Sequence, residues 1–279
     1  DRFVFVVSPI SYKKRTAGSL KDNPSIFRDD ARITEVNYYK NRLFMLTSEG
    51  TVVTSRAGEI DNVFLDTAIN VSLIDPIDVI ANSNQRVPIH GSSIVNNGMV
   101  LFGDSEQYML TTNSDILSSE TVNVTKIANY TFDPVSNPIY LGANLGFISE
   151  GTSRFYELTN LYERGPVDIN ERSQQIQNMF GEGYNMPVSS REQSQVIVYK
   201  RASESTDMMV YRFRQESSQE SSQTSWVKWR VDGNVCYISM PRDEIFVFVE
   251  DESIGAKLYK LQPDNKDKFT DGYEGVDID

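Results

Sequence analysis

A short run with apolar side chains at both odd and even positions constrains the fold of this chain most. Residues 42–47 carry four consecutive large apolar side chains, Leu43, Phe44, Met45 and Leu46. A strand that is apolar on both faces is buried on both sides, so it requires sheets that stack face against face. A turn signal at residues 48–50 and a β-branched run at 51–55 then predict that this strand returns as a hairpin.

Short strands separated by turn signals recur along the rest of the chain. Further strands are predicted at residues 3–7, 33–39, 99–102, 107–111, 121–126, 139–142, 145–149, 154–159, 195–199, 207–213, 225–231, 234–239, 244–249 and 256–261. A spacing of about 8–12 residues between turns is typical of sandwiches, barrels and propellers. Because strands with two apolar faces favour stacked sheets, we expect an all-β, β-propeller-like fold with about five to six irregular four-stranded blades.

One domain is expected over residues 1–262, followed by an acidic linker at 263–279. Residues 160–194 form the long irregular part of this domain, with a short helix predicted at 171–179. Long loops in compact domains are usually functional, so we expect an interaction surface there. Deleting residues 172–184 is expected to spare the fold and to damage assembly. Both ends of the chain are expected to run into further domains.

Charge and cysteine content exclude several classes of protein. The net charge is −12 over 279 residues, which disfavours a protein that wraps nucleic acid, because affinity for phosphate comes from Lys and Arg. The single cysteine, Cys236, excludes an intrachain disulfide, and its apolar neighbours predict a buried, inert thiol. No apolar run reaches the roughly 20 residues of a membrane-spanning helix.

The chain lacks the residue patterns of common catalytic and metal sites. His90 is the only histidine, and no nucleophile-elbow motif accompanies it. One His and one Cys do not supply a zinc ligand set. Acidic side chains near the end of the chain lack the spacing of a calcium loop: Asp264, Asp267, Asp271, Asp277 and Asp279. We therefore expect no enzyme: no catalytic residue, no cofactor and no metal.

Other charged and aromatic groups have simpler interpretations. The carboxylates at residues 29–30 and 250–252 are expected to be solvated, and the basic residues 13–15 to contact an acidic neighbouring subunit rather than a phosphate. Trp226 and Trp229 lie on opposite faces of one strand and are expected to be core residues. The Ser/Gln-rich residues 215–224 are predicted to form a loop.

Several of these segments, taken in order, resemble the tail nozzle family of T7-like podophages, also called tail tubular protein B, and in particular its cyanophage-type members. The residues that carry the resemblance are 15–18, 23–27, 39–46, 55–59, 62–64, 75–79, 82–84, 101–110, 166–170 and 225–229. The resemblance covers roughly residues 10–262. Two departures are Asp22-Asn23, where the family has a proline, and the insertion at residues 215–224.

The resemblance implies a structural virion protein of the phage tail. Its family members assemble as a homohexameric ring through which viral DNA is ejected, and the ring docks the tail adaptor and the tail fibres. DNA is then expected to pass along the ring axis, between subunits and without specific binding. Two alternatives from other classes stay open on the residues alone, a propeller-fold glycan hydrolase or lyase and a stand-alone protein-binding propeller.

Overall fold

The computed structural model describes residues 4, 6–9, 11, 14, 19–27, 31–81, 85–161, 166–176, 179–190, 194–200, 205–213, 224–242, 244–251 and 255–261. Contacts between Cα atoms group the chain into two compact units, residues 1–130 and 131–279. Among the described residues, no helix has the length and apolar character needed to cross a bilayer.

Unit 1 contains two antiparallel sheets, and in both each strand pairs with its neighbours in sequence. Sheet 1 is formed by β1 (Ile33–Tyr39), β2 (Arg42–Thr47), β3 (Thr51–Thr54) and β4 (Asp78–Ile80). Sheet 2 is formed by β5 (Ile89–Val95), β6 (Gly98–Gly103), β7 (Gln107–Thr112) and β8 (Val122–Ala128). Two short 3-10 turns, Leu20–Asp22 and Ser25–Phe27, precede sheet 1.

Unit 2 contains three sheets with the same up-and-down order. Sheet 3 is formed by β9 (Ile139–Leu141), β10 (Asn144–Ile148), β11 (Phe155–Thr159) and β12 (Asp168–Glu171). Sheet 4 is formed by β13 (Tyr184–Ser190), β14 (Gln195–Lys200), β15 (Asp207–Phe213) and β16 (Thr224–Arg230). Sheet 5 has three described strands, β17 (Asn234–Ser239), β18 (Ile245–Asp251) and β19 (Gly255–Leu261). A 3-10 turn, Gln174–Ile176, lies between β12 and β13.

Tight turns set the register of the hairpins. Lys40 and Asn41 join β1 to β2 with φ values of 46° and 61°, the conformation of a two-residue type I′ turn. Gly98 opens β6 where that strand runs against β7. A Cβ at this position would lie 2.0 Å from the carbonyl oxygen of Leu110, so no larger residue fits without moving the backbone.

The central strands are buried on both faces, as residues 42–47 predicted. In unit 1, sheets 1 and 2 share a core that includes Phe44, Leu46, Ile89 and Leu101. In unit 2, β14 contributes Val196 and Val198 to the core it shares with sheet 3, and Ile197 and Tyr199 to the core it shares with sheet 5. The prediction of an all-β fold built from stacked, propeller-like blades is therefore confirmed.

Several sequence expectations about individual elements are wrong. Val4, Val6 and Val7 lie outside any strand and are exposed, because alternation alone does not form a strand without a pairing partner. Residues 160–194 contain β12 and β13 rather than one irregular region, and residue 171 belongs to a strand. A 3-10 turn occupies part of the helix predicted at 171–179. The extent of the domain and the linker at 263–279 remain predictions, and residues 262–279 lie outside the described residues.

The cysteine expectation is wrong as well. Cys236 is exposed instead of buried. The pairing of β17 with β18 shifts register between Val235 and Tyr237, which leaves Cys236 at the irregular position. A bulge of this kind interrupts the alternation of inward and outward side chains, so apolar neighbours no longer predict burial.

Candidate interaction surfaces

The hairpin of β2 and β3 in unit 1 is built around a buried arginine. Arg42 opens β2 and is 1% exposed. Its Nη1 donates to the backbone oxygens of Ser55 at 3.0 Å and Asp75 at 2.7 Å. Its Nη2 donates to those of Leu73 at 2.9 Å and Leu117 at 3.0 Å. Burial lowers the pKa of Arg42, and the Asp75 carboxylate partly offsets that shift. The guanidinium therefore ties together segments that are distant in sequence.

A second arginine and a buried carboxylate complete this polar centre. Asp75 is 1% exposed, and its Oδ2 accepts the backbone amide of Ser72 at 2.7 Å. Its Oδ1 faces Nε of Arg56 at 4.0 Å, which is too long for a hydrogen bond. Arg56 also forms an ion pair with Asp66. The loop from residue 66 to residue 75 is thus fixed at both of its ends.

This fixed loop presents apolar side chains to solvent. Ile69, Val71, Leu73 and Ile74 are all exposed. Ile116, beside the Leu117 carbonyl that Arg42 binds, is exposed too. Exposed apolar side chains that are grouped on a surface are typical of interaction sites. Residues 39–46 and 55–59, which carry part of the family resemblance, therefore act as a scaffold. The loops that this scaffold holds in place form the exposed surface.

A groove of about 420 Å³ runs between this loop, the 3-10 turns and strands β3 and β4 of sheet 1. Its apolar lining includes Val53, Val63, Leu65, Val71, Pro76 and Ile80. Within it, Ser25 Oγ donates to Asp78 Oδ1 at 2.7 Å. A serine bound to a carboxylate without an imidazole lacks the base that activates hydroxyl nucleophiles. The lining thus offers apolar surface on which an apolar side chain of a partner could pack.

A second groove, of about 290 Å³, lies in unit 2 where the sequence predicted an interaction surface. It is lined by residues 151–154, Ser173 and residues 180–182. The groove is backed by core residues, because Phe180 is 5% exposed and packs against Trp226 at a ring-centroid distance of 5.0 Å. The expectation that deletion of residues 172–184 spares the fold is therefore wrong: it removes Phe180 and part of β13.

A buried polar network supports the wall of this second groove. Glu157 accepts hydrogen bonds from Asn144 Nδ2 at 2.7 Å and from Arg172 Nε at 2.5 Å. The backbone oxygen of Arg172 accepts Trp226 Nε1–H at 2.8 Å. Burial raises the pKa of Tyr211 to about 12, and the Glu157 charge adds to that shift. As predicted, Trp226 and Trp229 face opposite cores, shared with sheets 3 and 5 respectively.

The carboxylate of Glu35 lies where β1 contacts β5 in unit 1. Neighbouring residues of β1 bind β5: Thr34 Oγ1 donates to the Ile89 carbonyl at 2.5 Å, and Asn37 Nδ2 donates to Ser92 Oγ at 3.1 Å. Glu35 Oε2 is buried and has no hydrogen-bond partner among the described residues. Burial raises the pKa of Glu35 to about 7, and hydrogen bonds from Ser92 partly offset that shift.

Among the described residues, the others that were singled out from the sequence are not brought together at one site. His90 contacts Asp104 through Nε2 at 2.5 Å, so its partner is a turn carboxylate rather than a nucleophile. Within the described ranges, no cluster of three His, Cys, Asp or Glu side chains is placed to hold a metal. The carboxylates at 29–30, those from Asp264 to Asp279 and most of residues 13–15 and 215–224 lie outside the described residues.

Comparison with known proteins gives a family match over almost the whole chain. The family model described as bacteriophage nozzle protein matches residues 3–276. The tail tubular protein gp12 of Escherichia phage T7 is 23% identical over 232 residues, which cover 81% of this chain and 28% of that protein. Among solved structures, the AfRom2 CNH domain matches with a TM-score of 0.40 and 10% identity over 82% of this chain and 70% of that one.

These matches fix the family but not the whole protein. The chain spans just over a quarter of the length of its T7 relative. The family model, in contrast, covers nearly every residue of the chain, including Arg42 and the residues that accept its hydrogen bonds. The chain belongs to the bacteriophage nozzle protein family.

Proposed function

We propose that this chain is a wall segment of the tail nozzle of a short-tailed phage, present in several identical copies around the path of ejected DNA. Its structural role and its place in the virion tail follow from the family. A ring of six copies, contacts with the tail adaptor and contacts with the tail fibres extend this role to particular partners. The match over residues 3–276 is the observation that carries the proposal.

Measurement of the assembled particle tests the ring. The full-length protein that contains this chain is expressed, and its mass is determined by native mass spectrometry and light scattering. Six copies are expected, whereas a stand-alone protein-binding propeller gives a monomer. A monomer at micromolar concentration and physiological salt contradicts the proposal.

The second groove supports a role in assembly. Loops at functional surfaces present exposed side chains on a rigid scaffold, and Thr152 and Glu182 are exposed beside the buried Phe180. We expect a neighbouring copy, the adaptor or a fibre to contact this surface. Replacing Thr152 with Arg and Glu182 with Lys is expected to leave the thermal unfolding temperature unchanged and to reduce ring assembly. The matched control is Glu120→Lys, an exposed charge reversal in unit 1.

Acidic charge supports a conduit that releases DNA. Six copies at −12 each carry −72, and duplex DNA carries about one negative charge per 1.7 Å of its axis. An acidic or neutral wall repels DNA and lets it pass, whereas a basic wall retains it. We expect negligible binding of labelled duplex at physiological salt. Tight binding that weakens steeply with salt indicates a basic lumen and contradicts this part of the proposal.

The absence of catalysis is part of the same proposal. The family is a structural one, and the lining of the larger groove offers a hydroxyl with no imidazole. Incubation of the protein with capsular and outer-membrane polysaccharides is expected to produce no cleavage. Turnover that one Asp or Glu substitution abolishes establishes the glycan hydrolase or lyase alternative instead.

A further inference from the structure

The central strand of sheet 5 differs in burial from the inner strands of the other sheets. In β2, β6, β10 and β14, side chains on both faces are buried. In β18, the alternate residues Ile245, Val247 and Val249 are buried in the core that sheets 4 and 5 share. Phe248 lies on the opposite face of β18 and is 42% exposed. Sheet 5 therefore presents an aromatic side chain to solvent on one of its faces.

Phe248 is the middle of an apolar row that crosses all three described strands of sheet 5. It lies directly opposite Tyr237 of β17 and directly opposite Leu258 of β19. Tyr237 is 59% exposed and Leu258 is 63% exposed. Because residues that lie opposite one another in antiparallel strands share a face, these three side chains form one surface, which we call the sheet 5 row. Exposed apolar and aromatic side chains that are grouped in this way are typical of interaction sites.

Unit 1 presents a second apolar surface, the loop of residues 69–74. Ile69, Val71, Leu73 and Ile74 of this loop are exposed. Arg42 holds the end of the loop, because its guanidinium donates to the backbone oxygens of Leu73 and Asp75. A loop that is already fixed loses little conformational freedom when a partner binds it. The loop is therefore suited to insert apolar side chains into a contact with another protein surface.

The charges beside the two surfaces have opposite signs. Residues 59–75, which include the loop, contain four acidic side chains and no Lys or Arg, and Asp61 and Asp66 among them are exposed. Strand β19, which contributes Leu258 to the sheet 5 row, contains Lys257 and Lys260 and no acidic side chain. Complementary charges around a contact steer the two surfaces together and fix their register. The loop and the sheet 5 row thus complement each other in charge as well as in apolar character.

A ring of identical copies requires two different surfaces on each copy. In a head-to-tail contact, one surface of a copy binds another surface of the next copy, and the ring closes when the rotation between copies returns to its start. A two-fold contact uses the same surface twice and ends at a dimer. The loop of residues 69–74 belongs to unit 1 and the sheet 5 row to unit 2, so each copy carries one of each.

We propose that the loop of residues 69–74 of one copy packs against the sheet 5 row of the next copy. The occupant of the row is thus a second copy of this chain. The inference rests on the proposed function, because it assigns the contact that joins neighbouring copies of the ring. Neither surface shares a residue with the second groove, which leaves that groove available to other contacts.

Charge substitutions in the full-length protein that contains this chain test the contact. Leu258→Asp alters the sheet 5 row and Val71→Asp alters the loop, and both positions are exposed, so the thermal unfolding temperature is expected to stay unchanged. Each variant is expected to weaken the contact between copies at least about tenfold, because a carboxylate loses its hydration in an apolar contact. The matched controls are Leu20→Asp in unit 1 and Val135→Asp in unit 2, exposed apolar residues outside both surfaces. Native mass spectrometry measures the fraction of protein in rings.

A mixture of the two variants tests whether the two surfaces bind each other. The Leu258→Asp copy keeps an intact loop and the Val71→Asp copy keeps an intact row, so the mixture is expected to form a one-to-one dimer and no ring. Rings in either variant alone, or no dimer in the mixture, overturn the proposal. A Leu258→Asp variant with a lowered unfolding temperature shows that the same copy covers the row, which also overturns it. The proposed function fails separately, when the original protein itself is a monomer.

Cross-linking gives a second measurement that needs no buried charge. Val71→Cys is combined with Leu258→Cys in a full-length background without other cysteines, and the assembled protein is treated with a short bismaleimide. The pair is expected to give at least about tenfold more product between copies than the control pair Leu20→Cys and Leu258→Cys, because the contact raises the effective concentration of the two thiols. Equal yields from the two pairs, or products within one copy only, refute the contact even if the aspartate variants fail to fold.

Discussion

Replacement of Glu35 by glutamine tests whether a buried carboxylate sets the pH dependence of unit 1. Burial raises the pKa of Glu35 from its ordinary value near 4.5 to about 7 in the folded protein. The folded state then binds more protons than the unfolded state between these two values. Stability contributed by this group is present below pH 4.5, falls as the pH rises from 4.5 to 7, and is constant above pH 7.

The size of the effect follows from the shift. A difference of about 2.5 pH units corresponds to about 3 kcal/mol of differential stability. Glu35 is only half-buried, so solvent screening reduces that figure, and we expect about 1–2 kcal/mol. Glutamine resembles the protonated acid in shape and stays neutral. The variant is therefore expected to match the original protein at pH 4.5 and to be more stable by about 1–2 kcal/mol at pH 8.

The assay must report on unit 1. Both tryptophans, Trp226 and Trp229, lie in unit 2, so their fluorescence follows the wrong unit. The rate of hydrogen exchange of β1 and β5 peptides is therefore compared between the variant and the original protein at each pH. This comparison cancels the intrinsic pH dependence of exchange. Glu150→Gln, an exposed turn residue, is the control. A difference that does not change between pH 5 and pH 8, or a variant that is less stable at pH 8, refutes the reasoning.

Three further outcomes are expected. Arg42→Met leaves four backbone oxygens without their donor and is expected to lower the free energy of unfolding of unit 1 by about 3–5 kcal/mol. The measurement is chemical denaturation followed by hydrogen exchange of unit 1, and the exposed control Arg86→Met is expected to cost less than about 1 kcal/mol. Equal losses in the two variants contradict the scaffold role of Arg42. Cys236 is expected to react with a thiol reagent in the native protein, and reaction only after denaturation contradicts its exposure. Gly98→Ala is expected to lower the unfolding temperature by several degrees, because its Cβ meets the Leu110 carbonyl, and an unchanged temperature contradicts that contact.

Alternation of apolar residues located most strands, and its failures have physical causes. Residues 33–39, 207–213 and 234–239 were predicted with the bounds that the structure shows. β5 was missed because His90 and two serines interrupt its apolar pattern, yet Ser92 and Ser93 are buried. β13 was missed because it contains Pro187, which an edge strand tolerates.

Local sequence patterns could not predict the tertiary features of the candidate surfaces. Nothing in the residue type of Arg42 indicates that it is buried, because arginine is mostly exposed and its four acceptors come from three other segments. Only the resemblance of residues 39–46 to a family marked this position. The grooves are likewise defined by loops that meet in space.

The binding of Arg42 to Leu117 also dictates when sheet 1 can be finished during synthesis. Arg42 and Leu117 are 75 residues apart, whereas the strand pairs of sheet 1 are local. A nascent chain that has not yet extended past residue 117 offers this guanidinium three of its four backbone acceptors, those of Ser55, Leu73 and Asp75. The remaining N–H of Nη2 then has to be hydrated, because a buried donor without an acceptor is unfavourable. Sheet 1 can therefore form early, but the burial of its arginine is complete only after residue 117 has been added.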